Sequence, residues 1–322
     1  MQSNVDRNFF PGWTRKSITF TIDDGNIEYD THFLSIVRPA GIKGTFNLHR
    51  ADFLSPDEYR EMYSGYEIAN HCRNHPLVFR EGVEYKISDE PFDRATSPTD
   101  VLYRTDNPDI YLMHIYFHGN TNPAYAPPRG WHTITDPESY KRFAKESHDE
   151  LEAIFGEGTV RGFAWPHGKQ NNAEVKNWLM SELKYTNLRK TGDIRDTTGF
   201  SFPSDLSDWT YNAHNTTLLE VMKLYEDYPD DGELKFFSFG VHSRDFEASG
   251  NWCDLEKFAE LYGNRKNDYY YATVSELFDY AEAVKVLTVT DTEIINKSEI
   301  ALYLKINGSP VIIAPHATYA LL

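Results

Sequence analysis

The chain has 322 residues, 40% of them hydrophobic, enough for one large α/β domain with an appendage. Its 32 Lys and Arg stand against 49 Asp and Glu, and a formal charge of −17 repels a phosphate backbone, which argues against nucleic acid as a partner. No apolar run is long enough to span a membrane, and two cysteines, Cys72 and Cys253, make no disulfide framework.

The stretch through Trp13 lacks a basic region followed by an apolar one and is not read as a secretory signal, so a cytoplasmic location is expected, or export if the sequence has been trimmed at its start. The first strong signal is SITFTIDDG, residues 17–25. Ile18 to Ile22 is a β-branched and aromatic run with no helical period, the pattern of a strand buried on both faces. Asp23 and Asp24 fall at its end. In folds built on parallel strands, ligands bind and catalytic residues gather at that edge. Taken alone, Asp-Asp-Gly also reads as a polar turn. A helix is predicted over 31–37, ended by Pro39 and Gly41, and a strand over 44–48. Ser55-Pro56-Asp57-Glu58 then offers an N-cap, a first-turn proline and first-turn acid, with Gly65 as the C-terminal cap. A third strand, 66–69, delivers Asn70 and His71. This alternation predicts right-handed βαβ units and a parallel sheet.

Between 78 and 135 the rhythm fails amid prolines and aromatics, and the segment is read as an irregular insertion that folds over the site, with one short strand at 110–117. His114 and His118, flanked by strand-like alternation, are read as histidines without a ligand role. Further on, helices are predicted over 136–155, 172–183, 216–225, 255–262 and 275–283, the last capped by Ser275. Strands are predicted over 160–165, 185–188, 234–241 and 269–274, with the turn Pro166-His167-Gly168 after the first and His242 after the third. Beyond Lys285 only short β-rich runs remain, including Asn307-Gly308. They predict a small antiparallel appendage over 285–322, packed as a cap on a main domain of residues 1–284.

His71-Cys72-Arg73-Asn74-His75-Pro76 is the second strong signal. Two histidines at i, i+4 lie on one side of a helical turn, at the same edge as the aspartate pair. Two His and one carboxylate leave an open coordination position, as in a hydrolytic Zn²⁺ site rather than a closed structural one.

With these residues the chain resembles the polysaccharide deacetylases, the NodB-homology group also called carbohydrate esterase family four. Their T-F-D-D-G is matched by Thr21-Ile22-Asp23-Asp24-Gly25, and their H-S/T-x-x-H-P by His71 to Pro76 with Cys72 at the hydroxyl position. R-x-P-Y-G corresponds to Ala164-Trp165-Pro166-His167-Gly168, D-x-x-D-W to Asp205-Leu206-Ser207-Asp208-Trp209, and L-x-H to Gly240-Val241-His242. The five stand in family order. The resemblance implies a distorted (β/α)7-type barrel with one divalent metal, zinc first, held at its mouth by Asp24, His71 and His75. It implies Asp23 as general base, His242 as general acid, Asp208 orienting His242, and the backbone N–H of His167 as oxyanion donor. Trp209 and Trp165 would shape the cleft around the acetyl group. The implied reaction removes N-acetyl groups from amino sugars of an oligo- or polysaccharide. Ala164 stands where many members carry an arginine paired to the base, and Arg161, three residues earlier, need not replace it. Two rivals therefore stay open: a metal-dependent amidohydrolase acting on a non-sugar amide, and a catalytically silent glycan-binding relative.

Overall fold

The computed structural model describes residues 4–93, 97–98, 101–115, 130–169, 172–191 and 197–321. After β1 (Val5–Phe9) comes β2 (Lys16–Asp23), buried from Ser17 onward as its continuous apolar run predicts. Asn26 caps α1 (Ile27–Val37) by accepting from the Tyr29 N–H, so the helix starts earlier than its apolar period indicates. β3 (Thr45–Leu48), α2 (Pro56–Met62) and β4 (Glu67–Asn70) complete the predicted alternation, and Ser55 with Glu58 closes a capping box at α2.

The segment read as irregular holds β5 (Leu77–Val78), β6 (Lys86–Ser88), β7 (Val101–Arg104), β8 (Tyr111–Ile115) and β9 (Gly130–Thr135), joined as one sheet in the order β5-β9-β8-β7-β6. These strands are too short to give a clear alternation of their own, and each is completed by partners distant in sequence. His114 is buried with Nδ1 2.6 Å from the Ser97 carbonyl oxygen. His118 lies outside the described residues.

α3 (Pro137–Phe155), β10 (Gly162–Ala164), α4 (Ala173–Ser181), β11 (Asn187–Arg189), α5 (Leu218–Asp227), β12 (Lys235–His242), α6 (Ser243–Ser249), α7 (Trp252–Tyr262), β13 (Tyr269–Tyr271) and α8 (Val274–Val286) follow. The main sheet is parallel throughout, in the order β11-β10-β4-β3-β2-β12, with β13 beside the start of β2. Its two ends are tied by the chain at 209–213, through single bridges from Trp209 to Arg189 and from Ala213 to Phe239. The sheet therefore curls into a distorted barrel whose closing strand is irregular. Gly240 makes that closure possible, because a Cβ there would stand 2.0 Å from the Tyr211 ring.

α8 is capped by Thr273 and Glu276, two residues ahead of the predicted Ser275 cap. β14 (Thr288–Val289), β15 (Glu293–Ile295), β16 (Leu302–Ile306), β17 (Ser309–Ile313) and β18 (Thr318–Ala320) form the antiparallel C-terminal part. Asn307 and Gly308, both at positive φ (51° and 81°), make the two-residue turn between β16 and β17. β1 pairs with β16, so the start of the chain completes this small sheet. Among the described residues no helix is long and apolar enough to cross a membrane.

Candidate active site

The parallel register carries the functional side chains to one edge. Asp23 at the end of β2 is level with His242 of β12 and with Asn47 of β3. His71 directly follows β4 and Arg189 ends β11, level with Ala164. A cleft of about 570 Å³ opens there, lined by both aspartates, His49, His71, His75, His167, His242 and Arg244 among others.

Asp24, His71 and His75 bring their donor atoms together. His71 Nε2 and His75 Nε2 lie 3.5 and 3.6 Å from Asp24 Oδ1 and 3.0 Å from each other. A tetrahedral zinc ion with ~2.1 Å bonds has ligand–ligand edges of about 3.4 Å, so the spacing fits such an ion. His71 Nδ1 sits 2.7 Å from the Ala164 carbonyl oxygen, which fixes the tautomer and leaves the Nε2 lone pair facing Asp24. Burial, with the neighbouring His71 and His167, holds His75 well below the usual imidazole range, so it is neutral. Asp24 Oδ1 is buried with no hydrogen-bond partner, a costly state for a carboxylate oxygen unless a cation meets it. Burial raises the Asp24 carboxyl, but its neighbours His71, His242, His75 and Arg244 outweigh it and hold the group below the ordinary carboxylate range.

The loop carrying the two histidines is not the expected helical turn. Cys72, Asn74 and His75 all have positive φ, and the Cys72 N–H donates to Asn70 Oδ1 at 2.8 Å. Three left-handed residues in four cost of order 1–3 kcal/mol each and are typical of a ligand clamp. Cys72 is fully buried, its thiol 4.0 Å from the Tyr140 carbonyl oxygen and pushed up by burial, so it turns away from the cluster.

Asp23 is buried and accepts from Arg189 Nη2 and, at 2.9 Å, from Asn47 Nδ2. Arg189 itself is 2% exposed. The arginine missing at Ala164 is thus supplied from the next strand, one register partner away. Arg161 instead pairs with Asp279 on α8, at 2.6 and 2.7 Å. The strand predicted over 185–188 stops at Leu188, one residue short of the edge, and so leaves Arg189 out of the predicted site.

His242 is oriented by Asp245, not by Asp208. Asp245 Oδ2 lies 2.9 Å from His242 Nδ1 and accepts from the His242 backbone N–H at 3.1 Å. Burial lowers the His242 pKa, but the Asp245 hydrogen bond and the charges of Asp23 and Asp24 raise it above the ordinary imidazole value. Asp208 is drawn to Lys190 Nζ at 2.7 Å. Its neighbour Trp209 is buried against Phe236 and Phe278, with its indole N–H donating to Asn187 Oδ1 at 3.3 Å, and does not wall the cleft. Trp165 is 1% exposed between Phe163 and Tyr140 and is likewise a core residue. His167, at φ 54°, does turn its ring into the cleft, 4.4 Å from His75 and 4.3 Å from His132 of β9 between ring centres. The inserted sheet therefore borders the site. Burial, with His132 and His71, pushes His167 down to about 3, and burial with His71 pushes His49 down to about 4, so the wall is neutral imidazole.

A curled parallel sheet with a three-donor cation cluster, a buried carboxylate and a carboxylate-oriented histidine at its C-terminal edge is the equipment of a hydrolase. The polysaccharide deacetylase family model matches residues 12–188, more than half of the chain, and the chain belongs to that family. No curated protein matches it. Among solved structures it is similar to the peptidoglycan deacetylase PdaC from Bacillus subtilis, with 15% identity, TM-score 0.40, and 84% of this chain and 92% of that one covered. It is also similar to the family 4 carbohydrate esterase from Streptomyces lividans in complex with acetate, at 12% identity and TM-score 0.40, covering 77% and 88%. A third is the Xyl-CE4 domain of a multidomain xylanase from the hindgut metagenome of Trinervitermes trinervoides, at 16% identity and TM-score 0.43, covering 84% and 93%.

Proposed function

We propose that this chain is a metal-dependent carbohydrate deacetylase that removes N-acetyl groups from amino-sugar residues of an oligo- or polysaccharide. The observation that carries the reading is the pairing of Asp23 and His242 as register partners on adjacent strands, beside the donor cluster of Asp24, His71 and His75. Those three residues would hold the divalent cation, zinc first, and once bound it supplies Lewis-acid polarisation of the acetyl carbonyl and acidifies the attacking water. Asp23, fixed by Arg189 and Asn47, takes a proton from that water as its oxygen bonds to the acetyl carbon. His242, oriented by Asp245, gives its proton to the amide nitrogen as the C–N bond breaks, releasing acetate and the free amine. The acid is needed because an unprotonated amine leaves poorly. The His167 backbone N–H serves as oxyanion donor in this reading, a contribution typically worth ~3 kcal/mol. The guanidinium on Asp23 weighs against a catalytically silent relative.

Acetate release from N-acetylglucosamine oligomers by metal-stripped protein tests the reading. Release is expected to return with Zn²⁺ and to vanish in Asp23→Asn, which keeps a hydrogen-bond acceptor for Arg189. Bound zinc without release from any acetylated sugar would move the assignment to a non-sugar amide.

A further inference from the structure

Asp24 presents its two carboxylate oxygens to different surroundings. Oδ1 is buried, without a hydrogen bond, and faces the two histidine nitrogens. Oδ2 lies 2.6 Å from Arg244 Nη1 and 3.6 Å from His242 Nε2. Arg244 is the second residue of α6, next but one to His242, and its side chain is 46% exposed at the lip of the cleft. Nothing in the family pattern read from the sequence assigns it a part.

We propose that Arg244 is a positioning residue for the metal ligand Asp24, holding Oδ2 so that the carboxylate offers a cation Oδ1 alone; this rests on the metal reading above. The backbone alone does not hold the carboxylate plane. Asp24 sits at φ 77°, which sets the direction of its Cβ but leaves the carboxylate free to turn about the bond to its terminal carbon. An ion pair with a guanidinium at 2.6 Å restrains that freedom at one oxygen. It also engages the oxygen nearest His242 Nε2. The contact therefore keeps Asp24 one-toothed towards the cation, with Oδ1 left to face the two histidine nitrogens.

A purely electrostatic role has the opposite sign, because removing a cation beside a dication site tightens metal binding. The experiment is the Zn²⁺ dissociation constant of the full chain, measured by competition with a chromophoric chelator, for wild type, Arg244→Met and Arg244→Lys. Arg244→Met is expected to weaken Zn²⁺ binding by about tenfold or more, the usual effect of losing the partner of a ligating side chain. Arg244→Lys, which can reach one oxygen with a single ammonium, is expected to recover part of the loss. Because the side chain is half exposed, the metal-free variants are expected to melt with wild type, which separates lost affinity from lost fold. Equal or tighter Zn²⁺ binding in Arg244→Met would overturn the proposal, and a raised KM at unchanged metal affinity would assign the arginine to substrate instead. Wild-type protein that binds no Zn²⁺ would overturn the metal reading itself, an outcome visible before any variant is compared.

Discussion

Asp23 keeps its carboxylate at 6% exposure, a position that an isolated charge cannot hold without a partner. Arg189 is that partner, and the pair is closed: the guanidinium is as buried as the carboxylate. Removing one member of such a pair leaves an uncompensated charge at a cost of about 3–5 kcal/mol, unless the survivor changes protonation. Arg189→Met is therefore expected to lower deacetylation on the order of 10²-fold, because the buried Asp23 then loses the guanidinium that holds its carboxylate in place. Ala164→Arg in the same background is expected to restore part of that loss. Positions 164 and 189 are register partners on adjacent strands, so an arginine at either can approach Asp23. Steady-state kinetics of the single and double variants check this, and a double variant no better than the single one would tie the function to Arg189's own approach. Ala164 is the departure from the family pattern that bears on Asp23, and the chain answers it with a residue that no single-strand motif contains.

At the scale of elements, the strand ends are readable because the apolar runs of β2 and β12 and the short run before His71 mark where a parallel sheet stops. The residues that tune the site are not readable, because they belong to contacts between elements. α6 is the clearest case. It directly follows His242, no apolar period announces it, and its Asp245 closes back on both the ring and the backbone N–H of His242. The spacing H-x-x-D carries the signal of a helix N-terminus, with an acid at N3. Asp208 and Trp209 have the stronger motif, yet they lie on the irregular chain that closes the barrel, where Trp209 packs on Phe236 and Phe278 and Asp208 meets Lys190. The two aspartates can be separated by experiment. Asp245→Asn is expected to cut kcat on the order of 10²-fold with KM little changed, since in the proposed mechanism His242 is the general acid and an ill-oriented acid fails only in the transition state. Asp208→Asn, a half-exposed surface pair, is expected to leave kcat within about twofold. The reverse ranking would return the orienting role to Asp208.

At the scale of the whole molecule, the order of motifs discloses the barrel, while two long-range pairings stay hidden: β1 with β16 across almost the full chain, and the inserted sheet built from strands that are individually too short to read. A third hidden link is Asp30, fully buried in α1. Its carboxyl accepts from Tyr63, at the C-terminal end of α2, at 2.8 Å and from Ser243, the first residue of α6, at 2.5 Å. One buried acid thus ties three helices together beneath the residue that follows His242. Burial pushes this carboxyl up to about 7, against the pull of the Ser243 and Tyr63 hydrogen bonds. Because its folded pKa lies above the ordinary 3.8, the folded chain holds the proton more tightly than the unfolded chain does. Its contribution to stability is therefore complete below about pH 4 and is lost as pH rises towards 7, on the order of 4 kcal/mol at most. Asp30→Asn cannot titrate and can still meet both hydroxyls. Urea unfolding of the two proteins across that window should show wild type losing stability relative to Asp30→Asn as pH rises. A difference that stays constant with pH would mean that Asp30 is ionised in the fold and that the three helices are held by a carboxylate rather than a carboxylic acid.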